Sequence, residues 1–307
     1  MGVDQAIEQL LSIDSNTALA VNNSNFMTLV DFNHNNGASE HVAIGGIKQM
    51  VSVDDGTLYG LIYDSVSNGM VIKSVDKGKS WQIADRFDFV EGIDAVALVN
   101  NGQGNLWVVK TSDEQSSLVE FDLQQGQLTL ETNIILRGPI KQAKVAPNGW
   151  LYALLGEATT PGEYDFPGIH RLKLENGSQT VELIASDSDG AIRHMDFNDS
   201  SHLLFSHAEV ANSTLGTKNS LQLIAPAGFR VFVHDAVNPQ IPPQFIDANH
   251  ILYAQGNAVG VIDIEADEAS TVQAFDSPVT GLSVVPGLSA IAVTTRDKGF
   301  IGRYLFK

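Results

Sequence analysis

Ser74-Val75-Asp76-Lys77-Gly78-Lys79-Ser80-Trp81 reads S-x-D-x-G-x-S-W and lies between apolar runs with the composition of β-strands. Each fixed position in it suits a tight turn. Gly78 accepts a positive φ that a side chain resists. Ser74 and Asp76 carry short side-chain oxygens able to take up turn amides. Trp81 returns an aromatic anchor to the sheet. The stretch is therefore expected to be a tight turn between two strands.

Outward from it, one unit recurs along all 307 residues. An apolar run, a polar turn and a second apolar run repeat. The turns are Ile13-Asp14-Ser15-Asn16, Val53-Asp54-Asp55-Gly56, Val99-Asn100-Asn101-Gly102 and Ala146-Pro147-Asn148-Gly149. Phe197-Asn198-Asp199-Ser200, Ile246-Asp247-Ala248-Asn249 and Val285-Pro286-Gly287 complete the set. From Asp14 to Pro286 the steps are 40, 46, 47, 51, 49 and 39 residues. Turns rich in Asn, Asp, Gly and Pro at that recurrence mark hairpins.

The runs after the turns, such as Thr57–Ile62, Asn105–Val109 and Trp150–Leu154, are apolar almost throughout, as in strands buried on both faces. A third run follows in each unit and a fourth in most, for example Thr129–Thr132 and Val181–Ala185. Four short antiparallel strands per unit, recurring at roughly 40–50 residues, predict the blade of a β-propeller. Seven units predict an all-β, seven-bladed propeller in one domain over residues 1–307. The blades are placed at about 5–45, 46–90, 91–137, 138–188, 189–238, 239–278 and 279–307. Ala6–Leu11, which could be mistaken for a helix start, occupies the first-strand position of unit one.

The S-x-D-x-G-x-S-W stretch resembles an Asp-box, so the chain is similar to the Asp-box (BNR-type) propellers. That group includes sialidases, sortilin-type receptors and photosystem assembly factors. The resemblance implies that Ser74, Asp76, Gly78, Ser80 and Trp81 join the two outer strands of a blade, away from the binding face. It is closer to the non-catalytic, sortilin kind than to sialidases. Sialidases carry an early Arg-Ile-Pro-type motif and an arginine cluster for a substrate carboxylate. Here the arginines are Arg86, Arg137, Arg171, Arg193, Arg230, Arg296 and Arg303, so none precedes position 86 and none sits in that motif.

The bulk composition narrows the partners. A formal net charge of −18 repels phosphate backbones and anionic lipid, which argues against sequence-independent nucleic-acid binding and membrane insertion. The absence of cysteine excludes disulfides, thiol nucleophiles and Cys-containing zinc sites. Met1–Glu8 shows no signal-peptide pattern, and no apolar run is long enough to span a bilayer. Cytoplasmic synthesis or association with a virion is compatible with this.

No pattern in the chain demands chemistry. Asp165, Asp187, Asp189, Glu209 and Asp235 are available acids, but nothing pairs two of them across a sugar as a glycosidase requires. Ser186–Gly190 looks slightly like a calcium loop but lacks the terminal glutamate, and an ordinary blade-to-blade turn explains it. The eight histidines show no metal-ligand spacing, and His202 and His250 share one column of the repeat. No phosphate-binding glycine loop or nucleophile elbow is present. No cofactor, metal site or catalytic residue is expected.

Recognition is the favoured reading: a scaffold that binds a protein or a glycan through its loops. The loops between second and third strands are longest in unit four (Gly156–Gly168) and unit five (His207–Asn219). Candidate binding residues are Tyr164, Asp165, Phe166, His170, His207 and Glu209. Two other readings stand beside this one, a structural virion or cell-surface component and a propeller glycosidase or lyase. The chain reaches Lys307 just after the third strand of unit seven. Either Gly2–Gln5 pairs beside Gly299–Phe306 to close the ring, or that C-terminal edge is left for a partner strand.

Overall fold

The computed structural model describes the chain except residues 1, 4–6, 15, 23–25, 33–40, 44–46, 54–55, 64–67, 89–93, 102, 113–114, 137, 158–165, 176, 189, 199–201, 211–218, 226–227, 234–236, 286–288, 297 and 304–307. Twenty-eight strands and no helix are found among the described residues. After β1 (Gly2–Val3), blade 1 holds β2 (Ile7–Asp14), β3 (Thr17–Asn22), β4 (Phe26–Asp31) and β5 (His41–Ala43). Blade 2 holds β6 (Ile47–Ser52), β7 (Leu58–Tyr63), β8 (Asn68–Ser74) and β9 (Gln82–Asp88). Blade 3 holds β10 (Asp94–Asn100), β11 (Leu106–Thr111), β12 (Ser116–Asp122) and β13 (Gln127–Ile134). Blade 4 holds β14 (Ile140–Val145), β15 (Leu151–Leu155), β16 (Gly168–Glu175) and β17 (Ser178–Ser186). Blade 5 holds β18 (Ile192–Phe197), β19 (Leu203–His207), β20 (Ser220–Ala225) and β21 (Gly228–Val233). Blade 6 holds β22 (Gln244–Phe245), β23 (His250–Gln255), β24 (Ala258–Asp263) and β25 (Glu268–Ala274). Blade 7 holds β26 (Val279–Val285), β27 (Ala290–Thr295) and β28 (Gly299–Arg303).

Each blade is a four-stranded antiparallel sheet, and in blade 7 the fourth strand is β1. The first strands touch in series, β2 to β6 and onward to β26, and β26 returns to β2. That closed circuit makes a seven-bladed propeller. Of the two arrangements expected for the chain ends, N-terminal closure is the one present: Gly2 pairs with Phe300 and Val3 with Gly299.

Apolar burial is divided among the seams rather than gathered at a centre. Seven buried clusters occur among the described residues, each shared by two successive blades. The second strands supply much of it, as their unbroken apolar runs anticipate: all five residues of β15 are buried.

The edges of the first strands need partners for their free N–H and C=O groups, since a buried orphan is destabilising. Side chains of one blade supply them to the next. Gln142 accepts from the Met195 amide (2.9 Å) and donates to its carbonyl (3.2 Å). Gln244 does the same for Val284 N (2.6 Å) and Leu282 O (3.0 Å). Gln9 donates to Met50 O (2.9 Å), and Gln49 accepts from Leu98 N (3.2 Å). Asp196 accepts from Phe245 N (2.9 Å) and Ser283 from Leu10 N (2.8 Å). In β2, β6 and β14 a bulge immediately precedes the glutamine, and such a bulge re-aims the side chain that follows it.

A second tier lies at the ends of the second strands. Thr111 Oγ1 donates to Gly138 O (3.1 Å) and accepts from Ile140 N (3.1 Å). Ser206 Oγ donates to Pro239 O (3.1 Å). Thr294 Oγ1 accepts from Ile7 N (2.7 Å) and donates to Ile7 O (2.8 Å).

The Ser74–Trp81 stretch is the turn between β8 and β9. Asp76 Oδ1 accepts from the Ser74 hydroxyl (2.8 Å) and the Ser80 amide (2.8 Å), and its Oδ2 accepts from the Ser80 hydroxyl (2.6 Å). The Gly78 amide donates to Ser74 Oγ (2.9 Å), and Trp81 Nε1 donates to Gly78 O (3.0 Å). Gly78 has φ +85°, and a Cβ there would lie 3.2 Å from Leu19 of blade 1. Trp81 packs on the cluster shared by blades 1 and 2, and Lys77 binds Asp14 at 2.7 Å. The turn therefore also pins its blade to the preceding one.

Hydrogen bonds from the Ser80 hydroxyl and amide hold the Asp76 carboxyl down at about 2. Asp76→Ala is expected to reduce stability by about 1–2 kcal/mol, the scale of lost charge-assisted hydrogen bonds at an exposed turn. Because the native value lies below the ordinary 3.8, the contribution is complete above 3.8 and is lost as pH falls towards about 2. Urea unfolding of wild type and variant should show the gap between midpoints narrowing over that interval. An unchanged gap would mean the carboxylate is not what holds the turn.

Candidate functional site

Antiparallel alternation puts the turns between first and second, and third and fourth, strands on one face of the ring. The loops between second and third strands, with the blade-to-blade connections, lie on the other. Ser74–Trp81 is on the turn face, together with the Asp14 turn that Lys77 reaches. The long chain segments of blades 4 and 5, expected to enlarge the loop face, lie largely outside the described residues.

Of the candidate residues, Tyr164 and Asp165 lie outside the described residues. Phe166 is described and stands 59% exposed, one of the largest exposed apolar side chains. Its backbone is firmly held. The ring of His170, 2% exposed within β16, donates from Nε2 to the Phe166 carbonyl at 2.7 Å. Pro167 O accepts from the Asp187 amide (2.8 Å). Gly168 follows at φ +142°, where a Cβ would fall 2.1 Å from Ala185 O, so only glycine fits. His170 thus supports the loop from beneath and offers no ring to a partner.

The blade 5 loop is tied at its stem. His207 pairs with Ser220 across β19 and β20, and the amide of exposed Glu209 donates to Asn219 Oδ1 (2.8 Å). The His207 ring lies 6.2 Å, edge-on, from Phe205.

Acids on this face serve the backbone. Asp187 is 3% exposed, and its Oδ1 accepts from the amides of Ala191 (2.6 Å) and Ile192 (2.9 Å), which makes Ser186–Gly190 a blade-to-blade turn. Asp189 and Asp235 lie outside the described residues. At the channel between blades 4 and 5, Asp196 Oδ1 binds Lys144 at 2.7 Å while its Oδ2 holds Phe245 N. Burial, reinforced by the charges of Lys144 and Arg193, lowers the His194 pKa and favours the neutral ring.

The described arginines are dispersed. Arg171 binds Glu182 at 2.5 Å and stacks 4.5 Å over Trp150, Arg193 reaches the Gly190 carbonyl, and Arg303 lies 4.9 Å over Phe32. Arg137 and the side chain of Arg230 are outside the described residues. His202 and His250 both bond a hairpin residue, Asn198 (3.1 Å) and Asp247 (2.9 Å). No group of three or more His, Asp or Glu suited to a metal occurs among the described residues.

Solved structures resemble the chain in shape. The extracellular domain of a B. thetaiotaomicron one-component system matches with a TM-score of 0.65 at 12% identity, over 97% of this chain and 40% of that one. Kuenenia stuttgartiensis hydrazine synthase matches with a TM-score of 0.66 at 14% identity, over 98% of this chain and 96% of that one. The Neurospora crassa Pan2 WD40 domain gives 0.65 at 8% identity, over 97% and 88%. The likeness is one of fold. No protein-family model matches the sequence, nor does any curated protein. The propeller is compatible with a binding or scaffold role and assigns no specific activity.

Sequence reasoning missed the inter-blade clasps and the support given by His170. A signal for the clasps existed in I-x-Q at positions 7–9, 47–49 and 140–142. For His170 it was the strand itself, which places the residue two positions past its start.

Proposed function

We propose that the chain is a non-catalytic scaffold that binds a protein partner through the loop face of blades 4 and 5, with Ser74–Trp81 an Asp-box in a structural role. The observation that carries this reading is Phe166, a large exposed ring on a backbone fixed by His170, Pro167 and Gly168. Preorganised aromatic anchors lose little entropy on binding and dominate interface energetics. The acids of this face that bond backbone amides support a framework role for them.

Phe166→Ala should leave the unfolding midpoint unchanged and weaken partner binding by about 2 kcal/mol, the size of an aromatic hot spot. A photo-crosslinking amino acid at 166, compared with one at Lys79 on the opposite face, would be used to trap the partner from the native host. One defined adduct from 166, competed by unlabelled wild type and not by the Ala variant, is expected. Adducts of equal yield from both positions would sink the proposal. A glycan array responding to Phe166→Ala would move the reading to carbohydrate recognition, and turnover of a chromogenic glycoside panel would replace it with catalysis.

A further inference from the structure

One column of the repeat sets aromatic rings beside charges. Its second-strand members in blades 2, 3 and 4 are Tyr59, Trp107 and Tyr152, each following a buried leucine. Across the ladder they face Lys73, Glu120 and Arg171 of the third strand. Opposite residues of an antiparallel pair project to the same face, so ring and charge are neighbours in each blade.

In blades 2 and 4 the charge is positive, and the chain uses it on its own rings. Lys73 Nζ lies 5.5 Å over Tyr59, and Arg171, opposite Tyr152, stacks 4.5 Å over Trp150. Both tyrosines are buried. Blade 3 reverses the sign. Trp107 is half-buried and faces a carboxylate, and among the described residues no cation lies over its ring. Among the same residues the Glu120 carboxylate accepts one hydrogen bond, from Asn105 Nδ2 (2.8 Å).

Beside this pair the seam of blades 3 and 4 opens into a pocket of about 240 Å³. Trp107, Leu118 and Leu130 form the blade 3 wall and Leu174 and Gln179 the blade 4 wall, while Glu120 is the one ionisable residue that lines it. Gln179 fixes the gap between the walls, donating to Asn133 O (2.7 Å) and accepting from Ile135 N (2.9 Å). Apolar surface continues outside the pocket, where Leu130 is 63% exposed and Ile135 36%.

We propose that this pocket takes the basic side chain, Lys or Arg, of a partner protein. The alkyl stem lies between Leu130 and Leu174, and the charged head meets the Trp107 ring and the Glu120 carboxylate. That head takes in blade 3 the place Lys73 takes on Tyr59 in blade 2. Tryptophan is the best cation–π platform among the side chains. The carboxylate beside it repels anions and attracts cations, in a molecule whose net charge of −18 already draws basic partners. The size fits one side chain, since sites for free small molecules run to about 300–1,000 Å³. Exposed Leu130 and Ile135 offer a surface to the residues that flank the base. The site lies at the outer seam of blades 3 and 4 and is independent of the loop-face reading.

The test is an NMR titration of the full chain that follows the indole N–H signal of Trp107, assigned with Trp107→Phe. The ligands are a Ser/Thr heptapeptide with a central Lys-Leu pair, the same peptide with norleucine for Lys, and hexylammonium. The Lys peptide should shift the signal saturably. Norleucine keeps the stem and drops the charge, so its peptide should bind about tenfold more weakly. Glu120→Gln can still accept from Asn105, so it should hold the unfolding midpoint and weaken the Lys peptide about fivefold. Glu120→Lys rebuilds the blade 2 arrangement from within and should abolish binding in a protein that still folds.

No shift with the Lys peptide overturns the proposal, as does equal affinity for the Lys and norleucine peptides. Unchanged affinity in folded Glu120→Gln removes the carboxylate from the site and with it the proposal. Hexylammonium that binds as tightly as the Lys peptide overturns the assignment to a protein partner.

Discussion

Thr294→Val is expected to destabilise the protein by about 3 kcal/mol, the upper range for buried polar groups stripped of their partner. The substitution keeps the side chain's shape, so the packing of this 3% exposed residue survives. What is lost is the hydroxyl that serves both the amide and the carbonyl of Ile7. Those two groups lie at the seam of blades 7 and 1, where the covalent link is the connection from β1, in the sheet of blade 7, to β2 of blade 1. Beyond the clasp, the contacts that hold it among the described residues are the two pairs of β1 on β28, Ser283 with Leu10, Arg303 over Phe32 and one apolar cluster. Exchange of amides in β1, β2 and β28 should therefore accelerate together and ahead of blades 3 and 4. Thr294→Ser keeps the hydroxyl and should lose about 1 kcal/mol, the value of the missing methyl group. Equal urea midpoints for Thr294→Val and wild type would remove the clasp from the account of closure.

Gln142→Leu should follow closely, at about 2 kcal/mol, since the amide it replaces serves Met195 N and Met195 O like a missing peptide group. Leucine nearly preserves the volume, so the loss reports hydrogen bonding rather than a cavity. Gln142→Glu separates the two bonds. Its carboxylate can still accept from Met195 N but faces Met195 O without a proton. That environment raises the new group's pKa, so the variant should gain stability as pH falls and lose it as pH rises. A Glu variant as stable as wild type at pH 7 would show that the side chain can turn away without penalty.

The propeller was legible because its signals are local. Turn residues and apolar runs of strand length reported each hairpin without reference to the rest, and Ala6–Leu11 read as a first strand from its repeat position, where β2 is found over Ile7–Asp14. Counting strands in unit seven left two outcomes, closure by the N-terminus or an open edge, and the first is present. The clasps were not legible, because Gln9, Gln49 and Gln142 look like polar interruptions of apolar runs until the neighbouring blade is in place. His170 sits at the mouth of a long loop in sequence, yet β16 begins at Gly168 and turns its ring inward.

The clasps of both inner tiers share a polarity: every donor blade grips the blade that follows it. Gln9, Gln49, Gln142, Gln244 and Asp196 reach forward, and Ser283 and Thr294 do the same across the join between the last blade and the first. As far as these contacts are concerned, the molecule has a sense of rotation but no origin. A permuted polypeptide, joined at its old ends and opened in another turn, would keep every one of them.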